Sequence, residues 1–373
     1  MPALRSRTQV AEVVFNTLGD VYHPDAAKGK EFNIEPTMVQ TIEKKIQESN
    51  AFLNQITVTG KASKNAQIIN TSPKARITKR TASGRRPTNP MGMDDRKYDC
   101  ETTEKDALIS WEMVDDWRGH TDGEIYVEYR NAVVQAIAND QLKVGWWGQY
   151  SAATTDQALE YLEDQQEGWL AYAIRVAPEK ILGVVPDATA PRGYTIQTYK
   201  LDAEDPSADF KTLDQLVYHV RMEKLHPLHQ ERTDVRSIIG SEMIQRESFR
   251  LYGISVTAQE RNQLAVLMSN MIFGETPHVK SDFFPRRGGV ITPLKNIARY
   301  YLMDSYRRRA AEDDHNMKGI VDYNYNLEDH VINDMDAFAG WHPDAILLKN
   351  PLTGEWEPAT YQRTGSAVTT WKV

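Results

Sequence analysis

One segment of this 373-residue chain cannot fold by itself. Residues 61–93 contain no aspartate, no glutamate and almost no large apolar side chain. Their basic residues are Lys61, Lys64, Lys74, Arg76, Lys79, Arg80, Arg85 and Arg86. A loop of this length and composition buries too little apolar surface to offset its conformational entropy. We therefore expect it to be mobile or docked on a partner, and a docking partner would be acidic.

Two acidic partners fit this basic loop. DNA is one, because clustered lysine and arginine side chains contact phosphates. A second copy of the chain is the other: removing the loop's eight positive charges from the net charge of −8 leaves −16 on the remainder. That negative charge is densest in residues 94–128, 156–167 and 312–336. Opposite charges on separate parts of one chain suit a head-to-tail contact between copies. Each exposed pair contributes only about 0–1 kcal/mol, so such a contact depends on repetition.

Length and residue usage restrict the class of protein. A chain of this length is too long for a single hydrophobic core, so we expect two packed lobes with extensions. No run of roughly 18 apolar residues predicts a membrane helix, and the N-terminus lacks the pattern of a signal peptide. We expect a cytoplasmic site of synthesis. Cys100 is the only cysteine, which excludes an intrachain disulfide and a cysteine-based zinc cluster, and it is interpreted as a small buried hydrophobe.

The sequence lacks the usual signatures of catalysis and cofactor binding. Phosphate-loop, nucleophile-elbow, zinc-helix and dinucleotide-binding motifs are all missing from it. His226 and His229 flank Pro227 without an evident third metal ligand, and the acidic runs at Asp94 and Glu312 are interpreted as solvated surface. We expect no enzymatic activity, no cofactor and no metal.

The pattern of elements predicts an α+β protein. A helix is expected from Pro36, with Thr37 and Gln40 as a capping box. A long two-stranded excursion follows over 55–110, then a long amphipathic helix over 122–147, which ends at Trp146 and Trp147. These tryptophans could form a stacking platform, but a place in the core is favoured.

Shorter elements are predicted after the long helix. A second helix is expected through Leu159, Leu162, Trp169 and Tyr172, and short strands then alternate with helices, including one over 258–271. Strands Ile297–Met303 and Val321–Tyr325 are expected on either side of a charged break at Arg307–Asp314. The chain from Pro343 onward is predicted to be an extended tail, anchored by Trp356 and Trp371.

Several colinear motifs resemble the major capsid proteins of tailed phages, specifically the family typified by coliphage P2. They are Phe32-Asn-Ile-Glu-Pro36, Gln47-Glu-Ser-Asn-Ala-Phe-Leu53, Lys97-Tyr-Asp-Cys100, Arg130-Asn-Ala132, Gly168-Trp-Leu170, the run from Leu294 to Arg308, and Tyr323 to Asp336. Together they extend over most of residues 30–340.

The resemblance implies the Johnson fold, which combines an N-terminal arm, an extended loop, a peripheral lobe with a long spine helix, and an axial lobe. On this basis we assign 1–54 to the arm and its helix and 55–110 to the extended loop. The peripheral domain is assigned to 111–184, the axial domain to 185–290, the return to the peripheral domain to 291–347, and the C-terminal tail to 348–373.

The resemblance also implies a function and partners. The subunits are expected to form hexamers and pentamers of an icosahedral head shell that encloses the genome, with a scaffold, a maturation protease, a portal and decoration proteins as further partners. The eight basic residues of the loop are then inter-subunit contacts. Arm processing would fall near Glu31 or Phe32, or else an intact arm would clamp a neighbour. A nucleic-acid-binding protein that uses loop 61–93 remains the alternative.

Overall fold

The computed structural model describes residues 9, 12, 31–70, 78, 80, 92–116, 122–156, 158–190, 193–253, 272–313, 317–350, 353–358, 361–362 and 368–369. The α-helices of these residues are α1 (Pro36–Ser49), α2 (Trp111–Asp116), α3 (Asp122–Trp147), α4 (Trp169–Val176), α5 (Leu213–Lys224), α6 (Pro227–Gln230) and α7 (Ser241–Gly253). The predicted helix over 258–271 lies outside the described residues.

Short strands make up most of the rest. In chain order they are β1 (Phe32–Asn33), β2 (Thr57–Lys61), β3 (Asn65–Asn70), β4 (Gly92–Asp99), β5 (Glu101–Glu104), β6 (Ala107–Ser110), β7 (Ile181–Leu182), β8 (Val184–Pro186), β9 (Tyr194–Ile196), β10 (Tyr199–Leu201), β11 (Val235–Ile239), β12 (Ile272–Phe273), β13 (Thr276–Pro277), β14 (Gly289–Pro293), β15 (Ile297–Leu302), β16 (Arg307–Asp313), β17 (Gly319–Ile332), β18 (Ala339–Trp341), β19 (Ile346–Lys349), β20 (Trp356–Glu357), β21 (Tyr361–Gln362) and β22 (Val368–Thr369).

Helix α1 begins at Pro36, as its sequence predicts. Proline suits the first helical position because that N–H has no partner within the helix. The N-cap residue is Glu35, whose side chain makes no capping hydrogen bond. The predicted capping box of Thr37 and Gln40 is therefore wrong, since Thr37 already lies inside the helix. One face of α1 is buried, through Val39, Glu43 and Ile46.

The long helix predicted over 122–147 is confirmed as α3, but its apolar residues are spread around the helix and do not form the predicted single face. Its 26 residues span about 39 Å. Trp146 and Trp147 are buried at its C-terminal end, which confirms their predicted place in the core. A Cβ atom at Gly145 would overlap the ring of Trp169, the first residue of α4. Glycine at this position thus permits the close packing of α3 on α4.

The predicted helix through Leu159 and Leu162 is wrong. These residues lie in turns, and Leu162 has a positive φ of 56°, which a right-handed helix does not accommodate. The buried side chain of Asp164 accepts a 2.6 Å hydrogen bond from the N–H of Asp156. Helix α4 begins only at Trp169.

The largest sheet has the strand order β1–β16–β17–β15–β2, and β5 and β6 also pair with β17. The expected charged break at Arg307–Asp314 is wrong, because residues Arg307–Asp313 form strand β16. Arg308 is buried there, and its Nε donates a 2.7 Å hydrogen bond to Asp322 of β17. Because Asp322 on the neighbouring strand neutralises its charge, Arg308 can lie on the buried face of the sheet.

A second sheet, β11–β14–β18–β7, lies between the two main hydrophobic cores. In β7, β11 and β14, and at the start of β18, one residue packs into the first core and the next residue into the second, as expected for strand geometry. These neighbouring pairs are Ile181/Leu182, Ile238/Ile239, Val290/Ile291 and Phe338/Ala339. The boundary assigned between residues 290 and 291 falls inside β14.

The chain after Pro343 does not begin as an extended tail. Strand β19 pairs in parallel with β10 and antiparallel with β20, and Ile346 and Leu348 are buried. Trp356 is half-buried in β20, whereas Trp371 lies outside the described residues. Ile346, Leu347 and Leu348 form a short continuous apolar run, which explains why this segment joins a sheet.

Candidate self-association hairpin

Strands β3 and β4 form an antiparallel hairpin in the predicted excursion. Its base packs on its own chain: Ile68, Tyr98 and Cys100 belong to the main hydrophobic core. The N–H of Cys100 donates to the carbonyl of Lys64 over 2.9 Å. Cys100 is fully buried, as predicted, and burial raises the pKa of its thiol to about 12.

Lys61, the first basic residue of the loop, also contacts its own chain. It ends strand β2, which pairs in parallel with β15. Its ammonium group lies 3.9 Å from the ring centroid of Tyr300 and 5.4 Å from that of Tyr98. Burial lowers the pKa of Lys61, while the cation–π contacts favour its charged form.

The hairpin contains an irregularity at Arg96. The pairs on either side are Gln67 with Lys97 and Ile69 with Met93, so one residue of β3 lies opposite three of β4. Arg96 donates 2.8 Å hydrogen bonds from Nη1 to the carbonyl of Ile332 and from Nη2 to that of Asn333. These contacts tie the irregular part of the hairpin to the end of β17.

A half-buried carboxylate holds the adjacent part of the hairpin. Asp329 accepts hydrogen bonds from the N–H of Asp99 at 2.9 Å and from the N–H of His330 at 2.8 Å. Burial raises the pKa of Asp329 to about 7, which outweighs these two hydrogen bonds. Neither Arg96 nor Asp329 was among the residues that the sequence singled out, because their partners are distant in the chain.

The other loop cations divide into two groups. Lys64 and Arg80 are exposed. Lys74, Arg76, Lys79, Arg85 and Arg86 lie outside the described residues. The structure therefore places Lys61 and Lys64 near the base of the hairpin.

Much of the acidic stretch 312–336 is neutralised within the chain. Asp322 is paired with Arg308, and Glu328 with Arg299 and Lys105. Asp336 lies 3.7 Å from Lys180. By contrast, several carboxylates from the other two acidic stretches are exposed: Asp99, Glu104, Asp106, Glu112, Asp156 and Glu160. The exposed carboxylates of these two stretches thus lie around β4, β5, β6 and α2 and in the turns after α3.

The predicted arm-processing region lies at the sheet edge. Phe32 and Asn33 form β1, opposite Arg308 and Arg307 of β16. Glu31 is exposed, and its carboxylate lies 3.5 Å from the guanidinium of Arg307. Ile34, which follows β1, is buried.

The described residues hold neither a cluster of metal ligands nor a membrane-spanning helix. Within these ranges, no group of three or more His, Cys, Asp or Glu side chains is arranged to hold a metal ion. His226 accepts the N–H of Leu228 through Nδ1, and His229 lies 3.4 Å from Asp334. None of the helices described above is long and apolar enough to cross a membrane.

The chain is similar to proteins of known type over most of its length. The model of the family described as "Phage major capsid protein, P2 family" matches residues 13–341. The capsid proteins of Escherichia phage P2 are 27% identical over 335 residues, which is 88% of this chain and 90% of that protein. The major capsid protein of Serratia phage KSP20 is 24% identical over 336 residues, 88% of this chain and 93% of that protein.

A solved structure shares the fold. A chain of the satellite phage P4 procapsid, whose structure includes the size determination (Sid) protein, superimposes with a TM-score of 0.73. The two chains are 23% identical, and the match covers 92% of this chain and 98% of the other.

Proposed function

This chain belongs to the P2 family of phage major capsid proteins, and from this we propose that its basic hairpin joins neighbouring subunits into a closed head shell. The predicted α+β Johnson fold and the shell-forming function are confirmed. The chain is thus a structural component of the virion. Finer points, which concern the contacts, the domains and the partners, are our proposals.

The observation that carries the proposal is the separation of charge between the hairpin and the body. Residues 61–93 hold eight cations and no acid, while the exposed carboxylates of the body include Glu104, Asp106 and Glu112. Because Asp322 and Glu328 are already paired within the chain, we propose the Glu104–Glu112 surface as the acceptor for a neighbour's hairpin. Each charge pair is weak, but a closed shell repeats the contact many times.

The domain division supports the same arrangement. We propose that the arm (1–54), the extended loop (55–110), the peripheral domain (111–184 with 291–347), the axial domain (185–290) and the C-terminal segment (348–373) act as parts of one subunit. The shared sheet β11–β14–β18–β7 is buried on both faces, which favours two lobes that move together. Subunits of this kind would form hexamers and pentamers of an icosahedral shell, made in the host cytoplasm and without enzymatic activity.

Further partners are proposed on the same basis. A scaffold, a portal and decoration proteins would join the shell, and the genome would be enclosed without sequence-specific contacts. A maturation protease that cuts near Glu31 or Phe32 would leave β1 and Ile34 bound to the body. If instead the arm stays intact as a clamp, the intact mass of subunits from mature particles would equal that of the full chain.

Charge reversal in the hairpin tests the main proposal. The double variant Lys79→Glu/Arg80→Glu is expected to give folded subunits that build no shells, as seen by electron microscopy. The matched control, Lys44→Glu/Lys45→Glu, makes the same change in charge on the exposed face of α1 and is expected to build normal shells. Partial recovery on adding Glu104→Lys/Glu112→Lys would support the acceptor surface.

Normal shells from the hairpin variant would overturn the proposed contact. If that variant also lost a salt-dependent affinity for DNA, the nucleic-acid-binding alternative for loop 61–93 would be favoured.

A further inference from the structure

The hairpin bends where it leaves the body. Between the pairs Gln67–Lys97 and Ile69–Met93, strand β4 contains two more residues than β3. Extra residues in one strand of an antiparallel pair bend that strand and increase its twist. The direction of the pairs Ile69–Met93 and Asn70–Gly92 relative to the hairpin base is therefore set at residues 94–96.

Arg96 fixes this bend to the body. Its guanidinium group donates to two successive carbonyls, those of Ile332 and Asn333. A planar fork with two bonds restricts orientation, whereas a single bond would allow rotation. The charge of Arg96 also acts on Tyr172 in α4, since it opposes the rise that burial causes in the pKa of that hydroxyl group.

The segment that receives Arg96 is itself held in place. The N–H of Asn333 donates to the carbonyl of Asn296 over 3.0 Å. The amide oxygen of Asn333 accepts a 2.5 Å hydrogen bond from Tyr300. Since Tyr300 also contacts Tyr98 edge-on at 5.2 Å, the base of the hairpin and the anchor of Arg96 belong to one packed unit.

A small change at this point has a large effect further out. The eleven residues between Ile69 and Thr81 can reach at most about 40 Å when extended. A 10° change in direction at the bend would then displace a contact at that distance by up to about 7 Å, given the same reach. Lattice contacts between rigid subunits do not tolerate such a displacement without a change in curvature.

We propose that Arg96 is a positioning residue that sets the direction of the hairpin and, through it, the curvature of the shell. This inference rests on the proposed role of the hairpin as an inter-subunit contact. The role of Arg96 differs from that of the loop cations. The loop cations attract the acidic surface of a neighbouring subunit, whereas Arg96 fixes the direction of the hairpin.

The test compares Arg96→Ala and Arg96→Lys with the control Lys97→Ala. Lys97 is the next residue of the same strand, and it is exposed. Particle diameters are measured by electron microscopy, and subunit stability by thermal unfolding. Both Arg96 variants are expected to associate but to lose the single diameter of the wild type, giving open or mixed shells. Lys97→Ala is expected to keep that diameter.

A purely stabilising role for Arg96 is distinguished by a destabilised variant that lies outside the hairpin. Glu43→Gln is expected to lower the unfolding temperature yet retain the wild-type diameter in the shells that form. If Arg96→Ala yields no soluble subunit, Arg96→Lys decides, because it keeps the charge and loses the fork. Uniform wild-type shells from the Arg96 variants would overturn the inference, whereas normal shells from Lys79→Glu/Arg80→Glu would overturn the proposed contact instead.

Discussion

The guanidinium group of Arg299 is paired with the carboxylate of Glu43, although 256 residues separate them in the sequence. Both side chains are almost completely buried. Tyr306 donates a hydrogen bond to the same carboxylate, and Glu328 pairs with Arg299 from the other side. Burial acts to raise the pKa of Glu328, but Lys105 and Arg299 outweigh it and hold that pKa below its usual range. The network attaches helix α1 to the large sheet.

We expect Glu43→Gln to lower the free energy of unfolding by about 3 kcal/mol, since removing one partner of a buried ion pair leaves the other charge inadequately compensated. Glu48→Gln on the same helix breaks only the exposed pair with Lys44, with an expected cost below about 0.5 kcal/mol. Urea unfolding of unassembled subunits measures both. Equal costs for the two variants would show that the buried pair adds nothing.

Replacement of Gly145 by alanine is expected to destabilise the subunit by about 1–3 kcal/mol, because the added methyl group would overlap the buried ring of Trp169. At an exposed helical position alanine is instead favourable, as the control Asn131→Ala in α3 is expected to show through a gain of a few tenths of a kcal/mol. Thermal unfolding of both variants checks the difference. Stabilisation by Gly145→Ala would contradict the close packing of α3 on α4.

The sequence predicts elements whose physical cause is local. Helix α3 is one, because residues 122–147 contain no proline, and α1 is another, because Pro36 marks its start. Strand β16 could not be predicted, since its arginine run indicates a loop unless the pairing of Arg308 with Asp322 is known. Leu159 and Leu162 have helical spacing, but the positive φ of Leu162 depends on surrounding contacts.

The candidate site is predictable from the sequence to a similar extent. The composition of residues 61–93 identifies a segment that needs a partner. The composition does not separate Lys61, which packs on Tyr300 of its own chain, from the exposed Lys64. Arg96 is absent from the predicted set because its acceptors lie 236 and 237 residues further along the chain, and residue type alone does not reveal that distance.

The hairpin base is expected to lose stability as the pH rises, owing to Asp329. Its pKa is raised by burial from 3.8 to about 7 in the folded chain, so between these values the folded state binds the proton more tightly than the unfolded state. The stabilisation is therefore complete below about pH 4 and is lost as the pH rises through about 7, at no more than about 1.4 kcal/mol per pH unit.

The variant Asp329→Asn is needed to isolate this effect, because the adjacent His330 titrates in the opposite sense. Burial lowers the pKa of His330 to about 4, so its contribution to stability is lost as the pH falls from 6.5. The unfolding free energies of wild type and Asp329→Asn are measured from pH 4 to 8. Because His330 is present in both proteins, its contribution drops out when one free energy is subtracted from the other. The difference is expected to fall with pH and then level off, and a constant difference would contradict the raised pKa.

The thiol of Cys100 is expected to report whether the hairpin base is packed in solution. Only the thiolate reacts with a disulfide reagent, and the pKa of about 12 together with complete burial disfavours that form. Native subunits are therefore expected to label only through local opening, much more slowly than subunits unfolded in urea. The variant Ser63→Cys supplies an exposed thiol in the adjoining turn and is expected to label at once with one equivalent. If Cys100 reacted as fast as that added thiol, the base would be open, and neither Asp329 nor Arg96 could hold the hairpin in a defined direction.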